Sequence, residues 1–166
     1  MAVDVISIVT IGQWVRHRMW SANAQSGRYT PFEENDYYFP SVWRKQAESN
    51  KQASEGEIDP AEGEKLTALL AEHYEHSFAL YQQALDAGVA KELARLFLPG
   101  FSVYYTWVVK VDAHNLMHWI ELRMAPDAQF EIQCYAEVIY NEIFKQVLPW
   151  TAEAFEKFRL SQRRNL

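Results

Sequence analysis

Between residues 16 and 29 the chain reads Arg16-His17-Arg18-Met19-Trp20-Ser21-Ala22-Asn23-Ala24-Gln25-Ser26-Gly27-Arg28-Tyr29. Three arginines and a histidine are gathered with two serines, an asparagine and one glycine, directly after the apolar run Val3 to Ile11. Guanidinium forks and backbone N–H groups concentrated in this way can be directed at a phosphate or at a planar acceptor. Gly27 opens backbone angles closed to its neighbours, and the adjacent N–H groups could form part of an anion-binding nest. Ser26 adds a hydroxyl and Arg28 a rigid donor fork. The plain alternative is a short helix with a solvated basic end, in which Arg28 pairs with Glu33 or Glu34. Two histidine pairs also carry metal-like spacing, His73 with His76 and His114 with His118, three and four residues apart. Neither is accompanied by a convincing second set of ligands, so the first pair reads as surface or interface histidines and no metal is expected.

The elements that must position these residues follow from periodicity. Val5, Ile6, Ile8, Val9 and Ile11 suggest a short strand feeding a helix. A helix through Val15 would present Gln13 and Arg16 on one face and turn Arg18 away. Ala22 to Tyr29 reads as a loop or an irregular helix end, and Thr30-Pro31-Phe32 as a turn. Tyr37, Tyr38, Phe39 and Trp43 form an aromatic patch whose default role is core or subunit-interface packing. Lys45 to Gly63 lacks a periodic hydrophobic face and reads as a polar linker with local helix at most. Glu64 to Asp86 is a long helix with Leu66, Leu69, Leu70, Tyr74, Phe78, Tyr81 and Leu85 at helical spacing, ended by Gly88. Ala90 to Leu98 is a second helix, stopped by Pro99 and Gly100, with Arg95 on its second turn, solvated or paired with Glu92. Phe101 to Val111 is strand-like, and Asp112 is the N-cap expected for a helix from Ala113 to Leu122. Asp127 to Val147 is expected as the longest C-terminal helix, with Phe130, Cys134, Val138 and Phe144 as its apolar stripe and Gln129 and Glu131 fixing the preceding turn. Pro149-Trp150-Thr151 breaks the chain before a short helix through Phe155 and Phe158, and the tail Arg159 to Arg164 is basic.

Composition bounds the possibilities. The chain has 166 residues, enough for one domain with an adequate core. A formal net charge of −6 argues against a general nucleic-acid surface and restricts positive potential to a local pocket. The single cysteine, Cys134, cannot form an intrachain disulfide, which points to a reducing compartment. The apolar run near the start is shorter than the ~20 residues of a membrane span and lacks the basic leader of a secretory signal. A cytoplasmic protein without membrane contact is therefore expected.

Arg16-His17-Arg18, seven intervening residues, Ser26, one residue and Arg28 together satisfy the signature of the flavin-dependent thymidylate synthases, which this sequence resembles. Tyr29, Tyr38-Phe39-Pro40-Ser41, Lys91 to Pro99, Leu116 to Arg123 and Ala128 to Ile132 extend the resemblance over nearly all the chain except Lys45 to Glu62. It implies an α+β fold, a small antiparallel or mixed sheet packed against long helices. It implies reductive methylation of deoxyuridylate (dUMP) to thymidylate, with FAD as cofactor and NADPH and methylenetetrahydrofolate as co-substrates. Under the same resemblance Gln13, Arg16, Ser26, Gly27, Arg28, Arg95 and Arg123 bind the nucleotide. Arg123 also serves catalysis, by a bidentate contact with the uracil edge that stabilises charge developing during reaction at C5. Arg16, His17, Arg18, Asn23, His114 and His118 are implied as flavin contacts, and a homotetramer with sites shared between subunits as the assembly.

The sequence departs from the family pattern at four positions and at its front. Ala24 stands where an acidic residue is common, Asp112 where Asn is usual, His114 for Arg and His118 for Asn. The histidines keep nitrogen donors or acceptors, whereas Asp112 loses an amide donor and adds charge near the flavin. Only fifteen residues precede Arg16, where relatives usually carry a further strand and a His-containing segment that helps form the flavin site. A reduced homologue, an incomplete gene product, or half of a site completed by another polypeptide would each account for that. Two other functions therefore stand beside thymidylate synthesis: a nucleotide-binding homologue without flavin chemistry, and a flavoenzyme modifying C5 of another pyrimidine nucleotide.

Overall fold

The computed structural model describes the backbone of residues 2–6, 12–34, 36–48 and 54–160, and side chains over the same residues except 2–6. Its elements in chain order are β1 (Ala2–Ile6), a 3-10 turn (Trp14–Arg16), β2 (Ser21–Ala24), β3 (Arg44–Gln46), β4 (Ser54–Glu57), α1 (Pro60–Asp86) and α2 (Lys91–Ala94). A 3-10 turn (Arg95–Phe97), β5 (Tyr104–Lys110) and α3 (Ala113–Arg123) follow. The chain ends in α4 (Phe130–Val138), a π-helical turn (Ile139–Phe144), Lys145–Val147, and α5 (Pro149–Phe155), which continues as π-helix through Leu160. The fold is α+β, with an antiparallel three-stranded sheet in the order β1-β5-β2 and a two-stranded sheet of β3 and β4. No helix among the described residues is long and apolar enough to cross a membrane.

Two compact units emerge. The first comprises Met1–Arg16, Ser21–Arg44 and Gly56–Lys110, and the second His17–Trp20, Lys45–Glu55 and Val111–Leu166. In the first unit β5 is the central strand, with Asp4 opposite Thr106 on one side and Asn23 opposite Val108 on the other. Trp107 and Val109 are buried while Val108 is exposed, the alternation of a strand with one covered face. Trp14 is fully buried edge-on to Trp107, with ring centroids 5.2 Å apart. The core beside the sheet joins Tyr74, Tyr81 and Ala84 of α1 to Tyr37, Ala94, Leu98 and Val103. Tyr37 stacks on Tyr74 at 4.5 Å, and burial foremost pushes its hydroxyl up to about 12. The packing role expected for the aromatic patch thus holds for Tyr37 inside this unit.

Several boundaries differ from the sequence-based expectation. The segment expected as a loop or helix end from Ala22 begins as strand β2, because Ser21 to Ala24 pair with the central strand although all four are exposed. Trp14–Arg16 forms a 3-10 turn rather than an extended helix carrying Gln13 and Arg16. The polar linker contains β3 and β4, and its residues 49–53 lie outside the described ones, as do residues 7–11 of the first apolar run and the basic tail from residue 161. α1 begins four residues before the expected start, since Asp59 Oδ1 accepts from the N–H groups of Ala61 and Glu62 at 3.0 and 3.3 Å and Pro60 occupies the first helical position. At its other end Gly88 adopts φ +81°, a conformation that favours glycine. The α2 helix is one turn only, so Arg95 sits on the 3-10 turn that follows.

The second unit is all-helical over residues 113–160 apart from the connections. Asp112 caps α3 as expected, its Oδ1 accepting from Asn115 N–H at 2.9 Å. α4 starts at Phe130, and Gln129 Nε2 donates to the buried Glu131 Oε2 at 2.9 Å at the expected turn. Of the expected apolar stripe Phe144 is buried, whereas Phe130, Cys134 and Val138 are exposed, and the buried face carries Ile132, Ala136, Ile139 and Tyr140 with it. Ile132, Ala136, Ile139 and Tyr140 follow three- and four-residue spacing, a helical face two residues out of step with the one expected. Tyr140, Phe144 and Phe155 then close an aromatic cluster with centroids 6.0 to 6.2 Å apart.

Candidate functional site

The first unit builds a cationic cavity from the end of β2. Gln25 N–H still bonds to Thr106 on β5 at 2.8 Å, and the chain then turns around Ser26. The Ser26 carbonyl accepts from Tyr29 and Thr30 N–H at 3.0 and 3.1 Å, and its hydroxyl from Arg28 N–H and Nε–H at 3.3 and 3.4 Å. The loop is pinned from outside: Lys91 Nζ donates to the Tyr29 carbonyl at 2.8 Å, and Phe32 N–H donates to the Tyr81 hydroxyl at 3.2 Å. Gly27 is buried in this turn, and a Cβ there would lie 2.4 Å from the Phe32 ring. Glycine is needed for the close approach of that ring, and its φ is not positive.

A cavity of about 470 Å³ opens over this loop, lined by Ala24, Ser26, Gly27, Arg28, Arg95 and Tyr105 among others. Among the described residues, two guanidinium groups and no carboxylate line it, in a chain of net charge −6. The Arg95 side chain is steadied by its Nε–H, which donates to the Glu92 backbone carbonyl at 3.2 Å. The alternatives that spent these arginines on neighbouring carboxylates are therefore not what the geometry displays: Arg28 bonds Ser26 and lies over the Tyr29 ring, and Arg95 holds a carbonyl. Such a cavity suits a small anion with an attached organic body.

The second unit assembles a different group of residues. Trp20 packs on the fully buried Trp119 at 5.5 Å and so anchors the segment His17–Trp20 on α3. His17 Nε2 accepts from Arg123 Nε–H and Nη2–H at 3.1 and 2.9 Å, and its ring lies edge-on to His118 at 6.0 Å. Because Nε2 accepts, the ring proton belongs on Nδ1. Burial first, then the Arg123 charge and His118, lower the His17 pKa to about 4. A neutral imidazole beside a fixed cation results at neutral pH. His114 lies one helical turn before His118 on the same face, and both are exposed. Glu121 of the same helix bonds Arg159 at 2.6 Å. Asp112 is occupied by its capping role, and its Oδ2 also accepts from Asn115 Nδ2 at 2.6 Å; these bonds hold its carboxyl below the usual range.

Of the residues expected from the sequence, Ser26, Gly27, Arg28 and Arg95 share the cavity of the first unit, and His17, His118 and Arg123 are gathered in the second. Gln13, Arg16 and Asn23 belong to the first unit but lie outside that cavity's lining, and Arg18 is exposed in the second. Phe32, Tyr105 and Lys91 were not expected. Only the glycine at 27 hinted at a bulky neighbour, and no local pattern marks Lys91 or Tyr105. Among the described residues, no three His, Cys, Asp or Glu side chains gather to hold a metal ion.

Residues 1–150 match the family described as thymidylate synthase complementing protein. A flavin-dependent thymidylate synthase from Thermus thermophilus is 44% identical over 148 residues, covering 89% of this chain and 53% of that protein. One from Thermosipho africanus is 41% identical over 146 residues, covering 88% and 63%. The chain thus spans about half to two thirds of the length of these relatives. Among solved structures, the UMP/dUMP methylase PolB from Streptomyces cacaoi bound with 5-Br UMP superposes with a TM-score of 0.83 at 28% identity, covering 95% of this chain and 72% of that one.

Proposed function

The chain belongs to the flavin-dependent thymidylate synthase family, and on that premise we propose that it methylates dUMP reductively to thymidylate, using FAD, NADPH and methylenetetrahydrofolate. The observation that carries the proposal is the cavity that brings Ser26, Gly27, Arg28 and Arg95 together, with no carboxylate among its described lining residues. There the phosphate of the nucleotide meets two guanidinium forks, the Ser26 hydroxyl and the turn at buried Gly27. Arg123 meets the uracil edge, where its charge stabilises the negative character that N3 and O4 gain as C5 reacts. Gln13 and Arg16 are assigned to further nucleotide contacts, and Arg16, Arg18 and Asn23 to the flavin.

The second unit suits a flavin by the chemistry of its donors. Neutral His17, exposed His118 and exposed His114 offer ring N–H groups and acceptors of the kind an isoalloxazine edge requires. When bound, FAD supplies a hydride derived from NADPH, and methylenetetrahydrofolate supplies the one-carbon unit. His17 keeps Arg123 hydrogen-bonded without adding charge. Because a large cofactor and a nucleotide need more enclosing surface than one small chain offers, the proposed assembly is a homotetramer with shared sites. Its setting is the cytoplasm.

Calorimetric titration of dUMP into the full chain tests the nucleotide assignment. Arg28→Ala and Arg95→Ala should each weaken binding by about tenfold or more, the worth of a charge-assisted hydrogen bond. A wild-type chain that takes no dUMP would overturn it. A second reading, modification at C5 of another pyrimidine nucleotide such as uridylate, is favoured by the similarity to the UMP/dUMP methylase PolB. Product masses from an equimolar dUMP and UMP mixture decide between the two. The third, a homologue that binds nucleotide without flavin chemistry, predicts a colourless protein that does not take up added FAD.

A further inference from the structure

His17 and Arg123 are 106 residues apart in sequence, yet one imidazole nitrogen receives two N–H groups of one guanidinium. Those two hydrogens form the side-on fork of the arginine, the edge made by Nε and Nη2. A guanidinium carries five N–H donors in a fixed plane, so fastening that edge fixes the direction of the end-on pair. The imidazole itself is held from two sides, half-buried in the segment that Trp20 anchors on Trp119 and edge-on to His118. No carboxylate is needed for the clamp. A carboxylate in the same place would offset the arginine's charge, whereas a neutral ring orients the guanidinium without doing so.

We propose that His17 is a positioning residue for Arg123: a neutral acceptor that clamps the side-on fork and thereby aims the end-on fork at the base edge of the bound pyrimidine nucleotide. The assignment rests on the nucleotide reading above and deepens it, since it makes base recognition depend on a residue of the N-terminal motif that does not touch the base. Among the described residues, the groups facing His17 are Arg123 and His118, both from α3. Protonation of the ring would remove the acceptor and set two cations against each other, so the clamp works only with the imidazole neutral.

The test uses two substitutions and two ligands on the full chain, with and without saturating FAD. His17→Leu removes the acceptor, while His17→Gln retains an uncharged oxygen near the place of Nε2. The ligands are dUMP and 2-deoxyribose 5-phosphate, which keeps the phosphate and lacks the base. His17→Leu should weaken dUMP by about tenfold, the loss of one charge-assisted hydrogen bond, and leave the sugar phosphate within about twofold. His17→Gln should recover most of the dUMP affinity. Equal losses for both ligands, no loss for dUMP, or a loss confined to FAD-containing samples would each overturn the proposal, the last by making His17 a flavin contact alone. Should the wild type bind no dUMP, the nucleotide reading falls and the clamp is read directly by NMR. The Arg123 Nε–H should then exchange with solvent at least several-fold faster in His17→Leu than in wild type and His17→Gln, and an unchanged rate would overturn the clamp itself.

Discussion

At the scale of single residues, Gly27 and His17 carry the most consequence. A methyl group at position 27 would have to displace the Phe32 ring, which lies 2.4 Å from where a Cβ would stand. Gly27→Ala should therefore cost about 1–3 kcal/mol as an overpacked contact, seen as a lower denaturant midpoint or as weaker dUMP binding. Adding Phe32→Leu should relieve most of that cost, and a double variant no better than the single would place the strain elsewhere. For His17, the pKa falls from 6.5 in the unfolded chain to about 4 in the folded one. The unfolded chain thus binds more protons between those values, so the stability His17 contributes is complete above pH 6.5 and is lost as pH falls toward 4. Denaturation midpoints of wild type and His17→Gln measured from pH 7 to 4 should diverge at neutral pH and converge on acidification; parallel curves would deny the shift. The arginine motif was legible because residue type and spacing lie within thirteen positions. The His17 to Arg123 bond was not, since nothing local to either residue names a partner 106 positions away.

At the scale of elements, the capping signal at Asp112 was legible and the one at Asp59-Pro60 was passed over. Asp112 holds the start of α3 through its bond to Asn115, so Asp112→Ala should lower the denaturation midpoint. Asp112→Asn keeps a capping oxygen and should leave the midpoint close to that of wild type. If the carboxylate also repels an anionic flavin, the same Asn variant binds FAD more tightly, and a fluorescence titration of FAD compares the two. An equal loss of stability for Ala and Asn would remove the cap from the account. The misread elements have physical causes. β2 is a short, exposed strand whose only strand-forming influence is pairing with β5, a long-range contact with no trace in Ser21-Ala22-Asn23-Ala24. α1 starts at the Asp59-Pro60 signal before its hydrophobic period begins at Leu66, and the α4 stripe was misplaced because Phe130, Cys134 and Val138 satisfy the same helical spacing as the buried Ile132, Ala136 and Ile139.

At the scale of the molecule, composition argued against a general nucleic-acid surface and for a local cationic pocket, and such a pocket lies beside Gly27. Large apolar side chains remain exposed, among them Leu96 at 77% and Phe101 at 69% in the first unit and Trp150 at 84% in the second. Surfaces of that kind favour association, in keeping with the proposed homotetramer. Light scattering at micromolar protein, with and without FAD, should give four times the chain mass, and a monomer that binds FAD and dUMP fully would exclude shared sites. The central claim is the chemistry, and turnover tests it most directly. The purified chain is supplied with FAD, NADPH, methylenetetrahydrofolate and dUMP, with flavin reoxidation followed by absorbance and the nucleotide identified by mass. Reoxidation that depends on dUMP and yields thymidylate is the predicted result. A chain that binds FAD and dUMP, reoxidises its flavin at the same rate without the nucleotide and forms no thymidylate would contradict it.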